Sequence, residues 1–186
     1  MEEIRDKNGL TEAEFLAAYD SGKYPKPSAT ADVCIIAKSG KGAEILLIKR
    51  GGHPFLGCWA LPGGFANKNE PLEETAAREL LEETGITGVH LSLVGVYSRP
   101  GRDPRGWTIS AAYAAKVNEA DIKVAAGDDA AAACWFKAET GKDGLTLVNN
   151  EISLTVTPGA PAGTGGLAFD HADIISDAAA KFLQES

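Results

Sequence analysis

The sequence predicts an α+β protein in which helices cover a central mixed β-sheet. Three observations carry that expectation. Short apolar runs, rich in β-branched residues or leucine, recur along the chain between Gly, Pro and Asn breakers. One strongly signalled helix, Pro71 to Thr84, interrupts them. A second helical pattern follows the last run, at roughly Ala172 to Leu183.

The elements follow in order. Thr11 to Asp20 reads as a short helix, because Thr11 and Glu14 make a capping-box pattern. Phe15, Leu16 and Tyr19 give it an apolar stripe. Tyr24 to Ser28, with Pro25 and Pro27, reads as an extended linker. We therefore expect residues 1–28 to be a helix and linker, and residues 29–186 to form the main domain. Ala31 to Ala37 and Glu44 to Lys49 read as a hairpin around Ser39 to Gly42. Trp59 to Leu61 is a short strand ending at Pro62-Gly63-Gly64.

The central helix has clear ends. Pro71 sits near its first position, where a missing N–H costs little. Glu73 and Glu74 lie in the first turn, where the helix dipole favours anions. Gly85 occupies the left-handed terminating position, and Ile86 is expected to pack back on Leu81. Leu72, Ala76 and Leu80, with Ala77 and Leu81, are expected to form its buried side. Val89 to Ser98 and Thr108 to Val117 read as longer strands joined by the loop Arg99 to Gly106. Ala131 to Lys137 is a further strand, and Leu145 to Val148 with Ile152 to Val156 form a hairpin around Asn149-Asn150. Pro158 to Gly166 is a loop, and Asp170 is expected to cap the last helix.

Composition narrows the function. The 186 residues are 44% hydrophobic and 24% charged, which suits a globular domain. The net charge of -8 argues against a general nucleic-acid binder, which needs a basic face. It does not argue against small phosphorylated ligands, because a divalent cation can supply positive charge locally. Cys34, Cys58 and Cys134 are odd in number, widely spaced and form no CxxC, so buried free thiols in a reducing cytosol are expected. Met1 to Leu10 lacks the apolar core of a signal peptide, and no run is long enough to span a bilayer. The expected location is the cytoplasm, with no membrane partner.

The chemistry lies in Gly64 to Ile86. On a helix, Glu79, Glu82 and Glu83 share one face, where like charges repel. That arrangement makes sense around a hard divalent cation such as magnesium. Arg78 is four residues from both Glu74 and Glu82 and is placed to hold an acid in position. Pro62-Gly63-Gly64 lets backbone approach a ligand closely, so a loop carbonyl is a candidate metal ligand.

Gly64, Glu70, Arg78, Glu79, Leu80, Glu82, Glu83, Gly85 and Ile86 match every fixed position of the Nudix box. The segment resembles that family, and the strand pattern around it is similar to the Nudix αβα sandwich from about Ala31 onward. The resemblance implies a pyrophosphohydrolase. It implies magnesium, with manganese as a substitute, bound by Glu79, Glu82, Glu83 and the Gly63 carbonyl. It gives Arg78 the role of orienting a catalytic glutamate, and Glu70 that of supporting the loop or an outer metal. The general base stays open among Glu79, Glu82 and a glutamate outside the box. In the implied reaction, water attacks one phosphorus in line, a carboxylate takes its proton, and the other phosphate leaves.

Arg99, Arg102 and Arg105 crowd one loop beside Asp103. Arginine suits bidentate phosphate contact, so these four residues are the candidate substrate-binding set. The segment Arg102 to Gly106, the strand after it and Phe169 to Ile175 are similar to the ADP-ribose pyrophosphatase subgroup. That implies ADP-ribose as substrate and AMP with ribose 5-phosphate as products. Proteins of this kind are often homodimers. The alternatives are another nucleotide substrate and a ligand sensor that does not cut. Sensors of this subgroup include transcriptional regulators, but little chain follows the last helix to hold a DNA-binding domain. His171 reads as structural, and His53 and His90 as surface residues. Trp59, Trp107, Tyr97 and Phe169 are expected to pack in the core or on the sheet ahead of stacking on adenine.

Overall fold

A computed structural model describes residues 3–39, 42–118, 130–141 and 144–183. Strand β1, Ser28–Ser39, and strand β2, Gly42–Arg50, form the expected hairpin, paired from Ile36 with Ile45 to Ser39 with Gly42. Residues 40–41 of its turn lie outside the described residues. The two strands then part. Along the same edge, β1 pairs at Thr30 to Asp32 with β4, Gly63–Phe65. β2 pairs at Ile48 and Lys49 with β3, Trp59–Ala60. Residues 59–65 thus fill the gap between splayed strands, and Val33 N–H donates to the Pro62 carbonyl at 2.8 Å. Gly63 and Gly64, expected as a turn after a strand, are themselves strand residues within the sheet.

The far edge of β1 pairs in parallel with β6, Thr108–Asn118. β5, Ser92–Tyr97, lies antiparallel outside β6. On the other side β2 pairs antiparallel with β7, Ala130–Gly141, followed by β8, Gly144–Asn149, and β9, Ile152–Val156. The order is β5-β6-β1-β2-β7-β8-β9, and the parallel pairing of β1 with β6 makes the sheet mixed, as predicted.

Both faces are covered. Val33 and Ile35 of β1 pack in a cluster with Ala76, Leu80 and Ile86 of the α2 region. Cys34 and Ile36 pack on the opposite face with Ile174, Ile175 and Ala178. That two-sided burial explains why β1, apart from Asp32, reads as a near-continuous apolar run instead of an alternation. Helix α1 is Glu12–Ala18, α2 is Leu72–Thr84 and α3 is His171–Phe182. The result is the expected αβα sandwich.

Several local expectations hold. Thr11 and Glu14 form the capping box in both directions. Gly85 ends α2 at φ 74°, with its N–H on the Leu81 carbonyl. Others change. The buried face of α2 is Thr75, Ala76, Leu80 and Thr84, whereas Leu81 is 49% exposed and Ala77 faces solvent. Ile86 joins the cluster of Ala76 and Leu80, which offers it more buried apolar surface than exposed Leu81 does. The threonine hydroxyls rotate the buried stripe by satisfying themselves locally: Thr84 donates to the Leu80 carbonyl at 2.6 Å. α1 buries none of its residues, so Phe15, Leu16 and Tyr19 do not reach the core. Asp170 stands at the N-cap position of α3 but makes no capping bond, because its carboxylate is taken by Arg102.

Cys34 is fully buried, and burial pushes its thiol up to about 12. Cys58 and Cys134 are half-buried and unpaired with another cysteine. Among the described residues, no helix is long and apolar enough to cross a membrane.

Candidate active site

The splayed hairpin and α2 meet at the Gly63-Gly64 strand. Gly63 N–H donates to Glu83 Oε2 at 2.8 Å. A Cβ on Gly64 would lie 2.5 Å from the Glu79 carboxylate, so only glycine admits that acid here. Arg78 fans out over the same corner. Its Nε reaches Glu70 at 2.8 Å, its Nη1 reaches Glu79 at 2.6 Å and Glu82 at 3.0 Å, and its Nη2 reaches the Phe65 carbonyl at 3.0 Å. Arg78 thus pairs with Glu82 as its spacing suggested, and Glu70 takes the place expected of Glu74.

The electrostatics follow from crowding. Burial, reinforced by the charges of Glu79 and Asp32, pushes the Glu83 carboxyl up to about 7 against the pull of Gly63 N–H. Burial also raises Glu79, with Glu82 and Glu70 adding to it and Arg78 opposing. Glu70 is held down at about 2, first by Arg78 and then by the Asn67 N–H. Among the described residues, no three acidic, imidazole or thiol groups already converge as a metal cage. Arg78 draws Glu79 and Glu82 to itself, and Glu83 is turned to Gly63. The oxygen donors nevertheless suit a hard divalent cation, which would offset the burial and the lesser mutual repulsion that raise Glu79 and Glu83.

Next to this corner is a cleft lined by Thr30, Asp32, Arg50, Leu61, Gly63, Gly64 and Phe65, by Arg102, Asp103 and Arg105 of the 99–106 loop, and by Phe169 and His171. The loop residues expected to bind substrate separate into distinct positions. Arg105 lies over the rings of Phe65, 4.6 Å from its centroid, and Phe169, at 5.3 Å. Asp103 is buried and grips Arg105 through Nε at 3.0 Å and Nη2 at 2.7 Å. Arg102 is only 5% exposed and forms a bidentate pair with Asp170, at 2.9 and 2.7 Å. Arg99 is half-exposed and sits 3.4 Å from Asp173 on α3.

Beneath the cleft lies Asp32. Ser110 Oγ donates to it at 2.5 Å, and His171 Nε2 and Arg102 Nη2 stand 3.5 and 3.7 Å away. Burial works against its charge, but His171, Ser110 and Arg102 outweigh that and hold Asp32 below the ordinary carboxylate range. Leu61 N–H donates to His171 Nδ1 at 2.9 Å, which leaves the ring proton on Nε2, toward Asp32. His171 is therefore structural at Nδ1, as its place in the sequence suggested, while its ring also lines the cleft. Trp59 packs against Phe136 in the core, centroids 4.7 Å apart, and the Tyr97 hydroxyl bonds to Asp177 at 2.7 Å. Trp107 instead is 55% exposed.

Sequence reasoning passed over Asp32, Arg50 and Phe65. An acid inside an otherwise apolar strand was the available signal for Asp32, because a buried charge requires partners. Arg50 and Phe65 carried none, since each merely ends a strand.

The NUDIX domain model matches residues 26–153. The chain belongs to the NUDIX domain family. It is 42% identical over 154 residues to an ADP-ribose pyrophosphatase of Methanocaldococcus jannaschii, covering 83% of this chain and 74% of that one. It is 35% identical over 176 residues to the ADPR responsive transcriptional repressor NtrR of Acinetobacter baylyi, covering 94% of this chain. The chain spans 62% of the repressor's length. A MutT/nudix family protein from Enterococcus faecalis has the same fold, with TM-score 0.81 and 38% identity over 92% of this chain and 69% of that one. With its box acids intact, the chain ranks among the Nudix pyrophosphohydrolases.

Proposed function

We propose that this Nudix protein hydrolyses the diphosphate of ADP-ribose to AMP and ribose 5-phosphate, with magnesium as the metal and manganese as a substitute. One observation carries the reading: Gly63 and Gly64, which meet Glu83 and Glu79 of α2, also line a cleft walled by Arg105, Phe65 and Phe169. A diphosphate needs charge neutralisation at one end, and its nucleoside needs an apolar or aromatic surface at the other. The 42% identity to an ADP-ribose pyrophosphatase supports the substrate.

Glu79, Glu82, Glu83 and the Gly63 carbonyl would hold the metal. When bound, it neutralises the diphosphate and lowers the pKa of water for attack. Arg78 fixes the orientations of Glu79 and Glu82 through Nη1. Glu70 in turn fixes Arg78, and the Phe65 carbonyl completes the guanidinium's bonding. A carboxylate, Glu79, Glu82 or a glutamate outside the box, accepts the water proton. Arg105, clamped by Asp103, presents its remaining N–H edge to the substrate, while Phe169 and Phe65 form the apolar surface.

The test is magnesium-dependent hydrolysis of ADP-ribose beside nucleoside triphosphates, dinucleoside polyphosphates and other nucleotide sugars, with products identified. AMP from ADP-ribose well ahead of the panel supports the reading. Preference for another member keeps the chemistry and discards the substrate. The likeness to an ADPR responsive repressor favours a second reading, a sensor of the same ligand. Tight ADP-ribose binding with no turnover of any panel member would select it.

A further inference from the structure

Arg102 and Asp170 are 68 residues apart in sequence and are joined by two buried hydrogen bonds. Burying both charges carries a desolvation penalty before pairing, and the bidentate geometry offsets it. The chain neighbours of this pair are informative. Arg102 precedes Asp103 and Arg105, and Asp170 lies between Phe169 and His171. These neighbours meet at the cleft, where Arg105 lies 5.3 Å from the Phe169 ring centre.

Phe169 has φ 51°, a left-handed conformation that a bulky residue adopts only where its surroundings enforce it. The enforcement is visible on both sides. Ala168 N–H is fixed to the Trp59 carbonyl at 2.8 Å, and His171 accepts from Leu61 N–H at 2.9 Å. Asp170 is fixed by Arg102. Between the loop and α3 there is also the Arg99–Asp173 pair, which is longer, at 3.4 Å, and more exposed.

We propose that Arg102 and Asp170 are positioning residues, forming a buried latch that fastens the 99–106 loop to the start of α3 and so assembles Arg105 and Phe169 into one substrate-binding wall. Arg102 lines the cleft but spends its Nε and Nη2 on Asp170, so in this proposal it acts on substrate through its neighbours. The part of this proposal that concerns substrate rests on the ADP-ribose reading above.

Two measurements test it. The first needs no substrate: amide hydrogen exchange of the ligand-free protein with Arg102→Lys, which keeps the charge and loses the fork. Amides of residues 102, 105 and 106 and of residues 168 and 171 should exchange together, at least about tenfold faster, with α2 as in the parent. Asp170→Asn is the second variant and should loosen the same two segments. The second measurement is kinetic, with ADP-ribose. Arg102→Lys should raise KM about tenfold and lower kcat by less than about threefold. In an Arg105→Ala/Phe169→Ala background the same substitution should leave KM unchanged, because the wall it positions is gone.

Unchanged exchange in both segments would overturn the latch. An Arg102→Lys effect on KM that persists in full without Arg105 and Phe169 would overturn it too. So would loss of α2 protection in both variants, which would make the pair a support of the whole fold. If the parent protein does not cleave ADP-ribose, the substrate reading fails, and the exchange experiment still decides the latch.

Discussion

Gly63 N–H donates to Glu83 Oε2 at 2.8 Å, joining the strand inserted into the splayed hairpin to the acid face of α2. The bond favours ionised Glu83, yet burial and the neighbouring acids win and push its carboxyl from 4.5 up to about 7. The folded state therefore keeps this proton to higher pH than the unfolded chain does. The stability Glu83 contributes is full below about pH 4.5 and is lost as pH rises through about 7. Without metal, the parent should lose stability across that window relative to Glu83→Gln, whose amide does not titrate. Melting curves of both proteins in chelator, from acid to mildly alkaline pH, measure the difference. A parent-minus-variant difference that stays flat or grows with pH would show that folding does not raise the Glu83 carboxyl. Magnesium binding below about pH 7 should also release protons, readable with an indicator dye.

Gly64 admits Glu79 because it has no side chain. In Gly64→Ala the new methyl would meet the Glu79 carboxylate at 2.5 Å, and Glu79 is tethered to Arg78 at 2.6 Å. The end of a glutamate side chain moves more readily than backbone, so the strain should be relieved by displacing the acid. Activity should fall by at least about 10²-fold, as expected when a reacting group is misplaced by about 1 Å. The melting temperature should move little. A large loss of stability with activity preserved per folded molecule would mean that the strand, and not the acid, gives way.

The central helix was legible because its signals are local. Pro71, Gly85 and the glutamate spacing each constrain a residue against its near neighbours. What needed the structure was long-range. Nothing in Ala31 to Ala37 shows that one edge of β1 serves two partners, β4 and β2, since strand pairing is set by residues far apart in sequence. The same limit applies to Asp170. A local reading makes it a cap, and only the fold brings in Arg102, which outbids the backbone N–H groups with a charged fork. The N-terminal helix shows the reverse case: its capping box is local and forms, but its apolar stripe of Phe15, Leu16 and Tyr19 stays exposed.

Arg78 uses all three guanidinium nitrogens on four acceptors, Glu70, Glu79, Glu82 and the Phe65 carbonyl. A lysine can supply the charge but not this planar spread. Arg78→Lys should therefore resemble Arg78→Ala in kcat, both falling by about 10²-fold or more, with KM changing far less. Steady-state kinetics of the two variants check this. Recovery of most activity by lysine would mean that charge alone matters at this position.

Arg105 occupies a different kind of site. Its guanidinium lies over two aromatic rings and is held at one edge by buried Asp103. Removing it takes a fixed cation from the cleft without touching the acids of α2. Arg105→Ala should raise KM for ADP-ribose about tenfold and leave kcat within about threefold, the pattern of lost ground-state binding. Asp103→Asn keeps an acceptor for Arg105 but removes the charge that holds it, so its effect on KM should have the same sign and be smaller. Initial rates across a range of substrate separate the two constants. An unchanged KM in both variants would remove this wall from the binding site. A fall in kcat alone would place Arg105 at the reacting phosphates instead.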